Sequence, residues 1–154
     1  MQVANPLTMY VPILQTEEAQ ANAQKIYKYF NNPTTKKDLD KMAIVHYARI
    51  ALVPNANGEG ALGVLVITEF DGNMNSYLQA FWDAPGGGVK LAFIGLATLA
   101  LHPPKGFDPK HPEKITYTIF SNFIMSHNLS EPQDLYYAYN ESVKRITAQF
   151  PPNS

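Results

Sequence analysis

An imidazole, a phenol and a guanidinium occur within four positions near the middle of the chain, at His46, Tyr47 and Arg49. Arg49 is one of two arginines and lies among aliphatic residues, where a charge without a partner is costly. Glu69, in the next strand-like segment, is the nearest candidate acceptor. Two interpretations stay open: a structural Arg–carboxylate pair, or a clamp that holds the anionic group of a ligand.

Three further side chains are candidates for a site. His46 has the chemistry of a general base or of a haem or metal ligand, although a single histidine on an apolar strand is more commonly a hydrogen-bonded core residue. Asp71 either brings a carboxylate to a pocket mouth or serves as the turn residue before Gly72. Tyr137 belongs to an aromatic run at 135–139 that is typical of a ligand cavity or a subunit interface. No metal site is predicted.

A β-hairpin must position most of these residues. The β-branched runs 43–53 and 62–70 flank a turn-rich loop, a pattern that predicts two antiparallel strands. By alternation, Tyr47 and Arg49 share one face of the sheet and His46 lies on the other.

The remaining segments complete an α+β pattern. A strand is predicted at 7–14, with Leu7, Met9, Val11 and Ile13 on one face, and Thr16 is expected to cap the helix that follows. A helix with the stripe Met74, Tyr77, Leu78, Phe81 and Trp82 follows the hairpin. Extra helices at 89–101 and 115–126 come next, before a short extended run at 135–139 and a last helix. Without the inserted helices the order is βαββαβ, which predicts a single ferredoxin-like domain over 1–154 with a four-stranded antiparallel sheet.

Both faces of the hairpin are apolar. Ile44, Ala48, Ile50 and Leu52 alternate with Val45, Tyr47, Ala51 and Val53. A sheet with one wet face alternates more cleanly between apolar and polar residues. We therefore expect the second face to be covered, either by a partner subunit in a homodimer or by the helices within 89–126.

Composition excludes several classes of function. The net charge of −1 and the pI of about 6.4 argue against a nucleic-acid partner. The absence of cysteine removes thiolate chemistry and fits a reducing compartment, so a cytoplasmic location is expected. The longest apolar run, 89–101, is too short to cross a membrane. The glycine run at 86–88 lacks both the dinucleotide fingerprint and the P-loop pattern, which favours a flexible joint.

Three blocks of sequence carry a family resemblance: 10–13, 46–81 with its His-x-Ala-Arg and Phe-Asp-Gly motifs, and 123–146. They resemble a family of largely uncharacterised bacterial ferredoxin-like proteins of the α+β barrel type, some of which accompany haem peroxidases. The resemblance implies a ferredoxin-like fold, with His46, Arg49 and Asp71 as the matched polar positions. The chain departs from the family pattern at 86–112.

Two functions compete. The first is a homodimeric or partner-binding domain that is accessory to an oxidative enzyme. The alternative is a small-molecule or haem-binding enzyme with His46 or Arg49 inside an apolar cavity between sheet and helices. A bonded Arg49–Glu69 pair without a ligand-sized cavity argues against the second. A concave pocket in which His46, Arg49 and a tyrosine converge favours it.

Overall fold

The sheet that carries the candidate residues has three antiparallel strands. The computed structural model describes residues 1–84 and 87–152. Strand β1 spans Ala4–Pro12, β2 spans Val45–Pro54 and β3 spans Ala61–Asp71. Their order is β1-β3-β2, with β3 antiparallel to both neighbours. The predicted hairpin is confirmed, and the first strand begins earlier than predicted and ends at Pro12.

Six α-helices accompany the sheet within the described residues: α1 Glu17–Phe30, α2 Pro33–Met42, α3 Met74–Asp83, α4 Gly88–Leu99, α5 Tyr117–His127 and α6 Val143–Gln149. The cap predicted at Thr16 is confirmed, since its side chain accepts from the Ala19 amide at 3.2 Å. Helix α2 was not expected. Its first residue is Pro33, which loses no hydrogen bond there, so the residue that ends one helix also starts the next. In the described part of the chain, no helix has the length and apolar character needed to span a bilayer.

One face of the sheet packs against the helices and forms the core. The predicted stripe of β1 is buried, together with Val64, Val66 and Phe70 of β3. The Tyr77 ring stacks on Phe70 at 4.0 Å between centroids, and its hydroxyl pairs with Thr68 Oγ1 at 2.9 Å. This hydrogen bond satisfies the polar atoms that the core encloses at that point.

The other face of the sheet is only partly covered. We call it the open face; its uncharged side chains include Thr8, Tyr10, Tyr47, Ala51, Val53, Leu65 and Ile67, all half-buried or exposed. The inserted helices do not cover it, because the buried side chains of α4 and α5 join the same core as β1 and β3. The expectation that the helices within 89–126 cover the second face is therefore wrong.

The predicted fourth strand at 135–139 is also wrong, since this segment is irregular and joins no sheet. The free edge of β1 is already engaged by backbone outside any strand. Isolated bridges join Met9 to Asn128 and Ile13 to Ala100. Pro12 offers no amide to a further strand at that edge. The described residues therefore form a three-stranded sheet, and the four-stranded βαββαβ arrangement is not formed.

The glycine run before α4 is described only in part. Gly86 of the predicted joint lies outside the described residues. Gly87 adopts φ 61°, a left-handed conformation that favours glycine, immediately before the first residue of α4.

Candidate functional site

A β-bulge changes where His46 points. The register of β2 shifts between Val45 and Tyr47, which leaves His46 as the extra residue. His46 consequently lines the same cleft as Tyr47 and Arg49. The alternation expected for a regular strand, which separated His46 from these two residues, is corrected by this bulge.

Asp71 holds His46 and the start of α6 together. His46 Nε2 lies 2.7 Å from Asp71 Oδ1, and Asp71 Oδ2 accepts a hydrogen bond from the Val143 amide at 2.9 Å. The two side chains are only 11% and 15% exposed. An anion at a helix N-terminus is stabilised by the free amides and the helix dipole. Asp71 therefore links β2, β3 and α6, in addition to preceding Gly72 in the predicted turn.

Arg49 and Glu69 are diagonal neighbours on the open face. Glu69 pairs with Tyr47 and Arg49 pairs with Ile67, so the two charged residues are not directly opposite each other. Their side chains form no salt bridge within 4.0 Å in the described ranges, where two Lys or Arg pairs and two His pairs with carboxylates lie within that distance. The interpretation of a bonded structural pair does not describe this geometry.

Burial raises the pKa of the Glu69 carboxyl above its usual value, and the charges of Arg49 and then His46 oppose this shift in part. The neutral acid is thus favoured relative to a carboxyl in water. A half-buried carboxyl of this kind can exchange a proton with a neighbouring ligand.

A cleft of about 580 Å³ brings these residues together. Its floor is one end of the open face, and its walls are α6 and residues 135–139, which we call the wall segment. We name it the tyrosine cleft; its lining is Ala4, His46, Tyr47, Ala48, Arg49, Glu69, residues 135–139 and Ile146. Tyr137 is 37% exposed, whereas Tyr47, Tyr136 and Tyr139 are exposed by 74%, 88% and 80%. The volume falls in the range of small-molecule pockets.

Five of the six predicted site residues line this cleft: His46, Tyr47, Arg49, Glu69 and Tyr137. Asp71 does not line it and supports His46 from behind. The cleft therefore brings the imidazole, the guanidinium and a tyrosine together in one concavity.

The attachment of the wall segment depends on residues that sequence reasoning missed. Asn140 accepts from the Val3 amide at 2.7 Å and donates to the Met1 carbonyl at 2.8 Å. Gln2 donates to the Pro132 carbonyl at 2.8 Å on the other side of the segment. The available signal is an amide side chain just before a helix, which indicates a turn but not the distant residue that it contacts.

The cavity expected between sheet and helices is far smaller. It measures about 30 Å³, room for roughly one water molecule, and contains neither His46 nor Arg49. The cavity predicted by the alternative hypothesis is therefore not found between sheet and helices, whereas the convergence of His46, Arg49 and a tyrosine that favours it occurs on the open face. His46 Nε2 is also engaged by Asp71, so this arrangement does not fit an axial haem ligand through that nitrogen. Within the described residues, no cluster of three or more His, Cys, Asp or Glu could hold a metal ion.

The tyrosine cleft and the open face are defined by the geometry of this chain alone. No family model, no curated protein and no solved structure matches this chain.

Proposed function

We propose that the chain is a binding domain for a small organic anion, which occupies the tyrosine cleft with its charged group on Arg49. The observation that supports this most directly is the convergence of an exposed guanidinium, without a carboxylate partner in the described ranges, with four tyrosines in a ligand-sized concavity. A guanidinium recognises a carboxylate through two parallel hydrogen bonds.

The tyrosines suit the apolar part of such a ligand. An aromatic ring offers a large contact surface at low conformational cost, and its hydroxyl tolerates water. Because the cleft lies at the surface, a ligand can enter and leave without unfolding the core. The His46–Asp71–Val143 chain keeps α6 in place as one wall.

The two arginines of the chain give a matched test. Arg145 of α6 is exposed and pairs with Glu141, which precedes that helix, and neither residue lines the cleft. Saturation-transfer NMR with benzoate and 3-phenylpropionate should detect binding to the wild type and to Arg145→Gln. Arg49→Gln should weaken binding by about tenfold or more, because a charge-assisted hydrogen-bond pair is removed. Equal binding by both variants, or no transfer to any protein, contradicts the proposal.

We also propose that the domain belongs to the ferredoxin-like family it resembles and acts beside an oxidative enzyme. The strand order β1-β3-β2 is the order that remains when the last strand is removed from a split βαβ sheet. The matched polar positions His46 and Arg49 lie in the cleft, and Asp71 supports it. A domain that holds a small acid is compatible with such an accessory role.

A second candidate function is self-association through the open face, favoured by the exposed Ala51 and the half-buried Leu65 and Ile67. Three strands of about ten residues have a footprint of roughly 450–500 Å², from a rise of about 3.3 Å per residue and a strand spacing of about 4.8 Å. A stable interface needs about 800 Å² per partner, so the exposed tyrosines must contribute or the homodimer is weak.

Sedimentation velocity tests this second candidate. The wild type should show a monomer–dimer equilibrium, and Ile67→Lys should be monomeric because it places a charge at the centre of the open face. The control is Leu91→Lys, which changes an exposed leucine of α4 outside that face and should leave the equilibrium unchanged. A wild type that stays monomeric at high concentration contradicts self-association.

A further inference from the structure

We infer that the tyrosine cleft selects monoanions, and that Glu69 takes up one proton when the anion binds beside Arg49. This inference rests on the proposed function, because it requires the anion to lie in the cleft. It concerns the charge class of the ligand and the proton that accompanies it.

The charged groups of the cleft lining balance one another. Its lining contains one guanidinium, one free carboxyl and no lysine among the described residues. The carboxylate of Asp71 is already engaged by His46 and by the Val143 amide. The titratable groups that face the cleft are His46, Tyr47 and Arg49 from β2, Glu69 from β3, and Tyr136, Tyr137 and Tyr139 from the wall segment.

An anion on Arg49 therefore arrives next to a second negative group. Two neighbouring carboxylates do not both stay ionised in a partly desolvated site, and they share a proton instead. The ligand also occupies the guanidinium whose charge opposes the upward shift of the Glu69 pKa. Both effects act in the same direction, so Glu69 gains a proton as the ligand binds.

The protonated carboxyl then has a binding role. A neutral Glu69 offers an O–H donor to the bound carboxylate, whereas the ionised form offers only acceptors. In the described residues, no hydrogen bond or salt bridge of the Glu69 side chain competes for that donor. The occupied site holds one guanidinium, one monoanion and one neutral acid.

This balance predicts discrimination by charge. A dianion such as phenyl phosphate or phthalate leaves one negative charge without a partner, and we expect it to bind more weakly than benzoate. Benzamide has the same ring without the charge, so it should lose the interaction with Arg49 as well.

Isothermal titration of the full chain with benzoate tests the inference. At pH 6.5, Bis-Tris and imidazole buffers have no anionic form and differ in ionisation enthalpy, so the observed heats give the number of protons taken up. The wild type should take up a proton, and its affinity should fall as pH rises, by up to about tenfold per pH unit above the Glu69 pKa. Glu69→Gln should bind with no proton uptake and a flat pH dependence. Glu59→Gln, in the exposed hairpin loop, should match the wild type.

The outcomes separate the inference from the proposed function. Benzoate binding without proton uptake, or an unchanged pH dependence in Glu69→Gln, overturns the inference and leaves the binding function intact. Phthalate or benzamide binding as tightly as benzoate overturns the selection of monoanions. A wild type that binds none of these probes overturns both proposals.

Discussion

The two faces of the sheet are made from the same three strands and meet opposite environments. On β3, Val66, Thr68 and Phe70 are at most 4% exposed, and the one polar group among them is paired with Tyr77. The alternating neighbours Ile67 and Glu69 are only half-buried. The first face has the packing and polar satisfaction of a core, whereas the second leaves charges and aromatic rings available. The first face therefore contributes most of the packing energy, and the second is the face on which we propose binding.

Large-to-small substitutions should give the largest difference between the two faces in the free energy of unfolding. Phe70→Ala removes a buried ring that stacks on Tyr77, and we expect a loss of about 3–5 kcal/mol in the free energy of unfolding. Ile67→Ala, on the open face, should cost less than about 1 kcal/mol because its side chain is already half exposed. Urea titrations followed by circular dichroism measure both. Similar losses for the two variants would mean that the open face is covered in solution.

A smaller effect tests the buried polar pair of the core face. Tyr77→Phe leaves the Thr68 hydroxyl without its partner, at a cost of about 1–3 kcal/mol. Thr68→Val combined with Tyr77→Phe removes both polar groups and should recover part of that loss. The double-mutant cycle measures the coupling between the two sites. A coupling near zero contradicts the assigned hydrogen bond.

The hydrogen bonds through which Asp71 joins the sheet to α6 should contribute still less to the free energy of unfolding. Asp71→Asn replaces the carboxylate that His46 and the Val143 amide share, and we expect a loss of about 1–2 kcal/mol. Hydrogen exchange should show faster exchange in α6 and unchanged protection in β3. The control Asp108→Asn changes an exposed side chain whose carboxylate accepts a hydrogen bond from the Lys110 amide, far from His46 in sequence and outside α6. Global loss of protection in Asp71→Asn would contradict the expectation that these hydrogen bonds stabilise α6 alone.

The difference between the faces also explains what the sequence could predict. The core stripe of β1, the hairpin and the helix cap at Thr16 follow from alternation and local hydrogen bonding, both of which are visible in short windows of sequence. The adjacency of Arg49 and Glu69 follows from the hairpin. These features need only near neighbours along the chain or across one turn.

The features that the sequence did not predict depend on residues that are far apart along the chain. The run at 135–139 has the composition of a strand, but the edge of β1 is bridged by Asn128 and Ala100, which leaves no place for it. Its aromatic residues line the cleft instead. The β-bulge at His46 has no local signature, since neither glycine nor proline marks it. Local patterns therefore named residues that line the cleft, while long-range pairing decided their arrangement.

The smallest expected effect concerns the charge of Glu69 on the open face. Burial raises its pKa in the folded protein above the ordinary value of 4.5, so the folded state holds the proton more tightly than the unfolded state. The contribution of Glu69 to stability therefore declines as pH rises from about 4.5 through the folded pKa, and is constant above it. Glu69→Gln removes this decline, so its melting temperature relative to the wild type should rise across that pH window and then level off. Differential scanning fluorimetry from pH 4 to 8, with Glu59→Gln as the exposed control, measures the difference. A melting temperature that falls relative to the wild type would mean that Arg49 stabilises the Glu69 carboxylate in solution, and the open face would then carry a closed ion pair rather than a free acid.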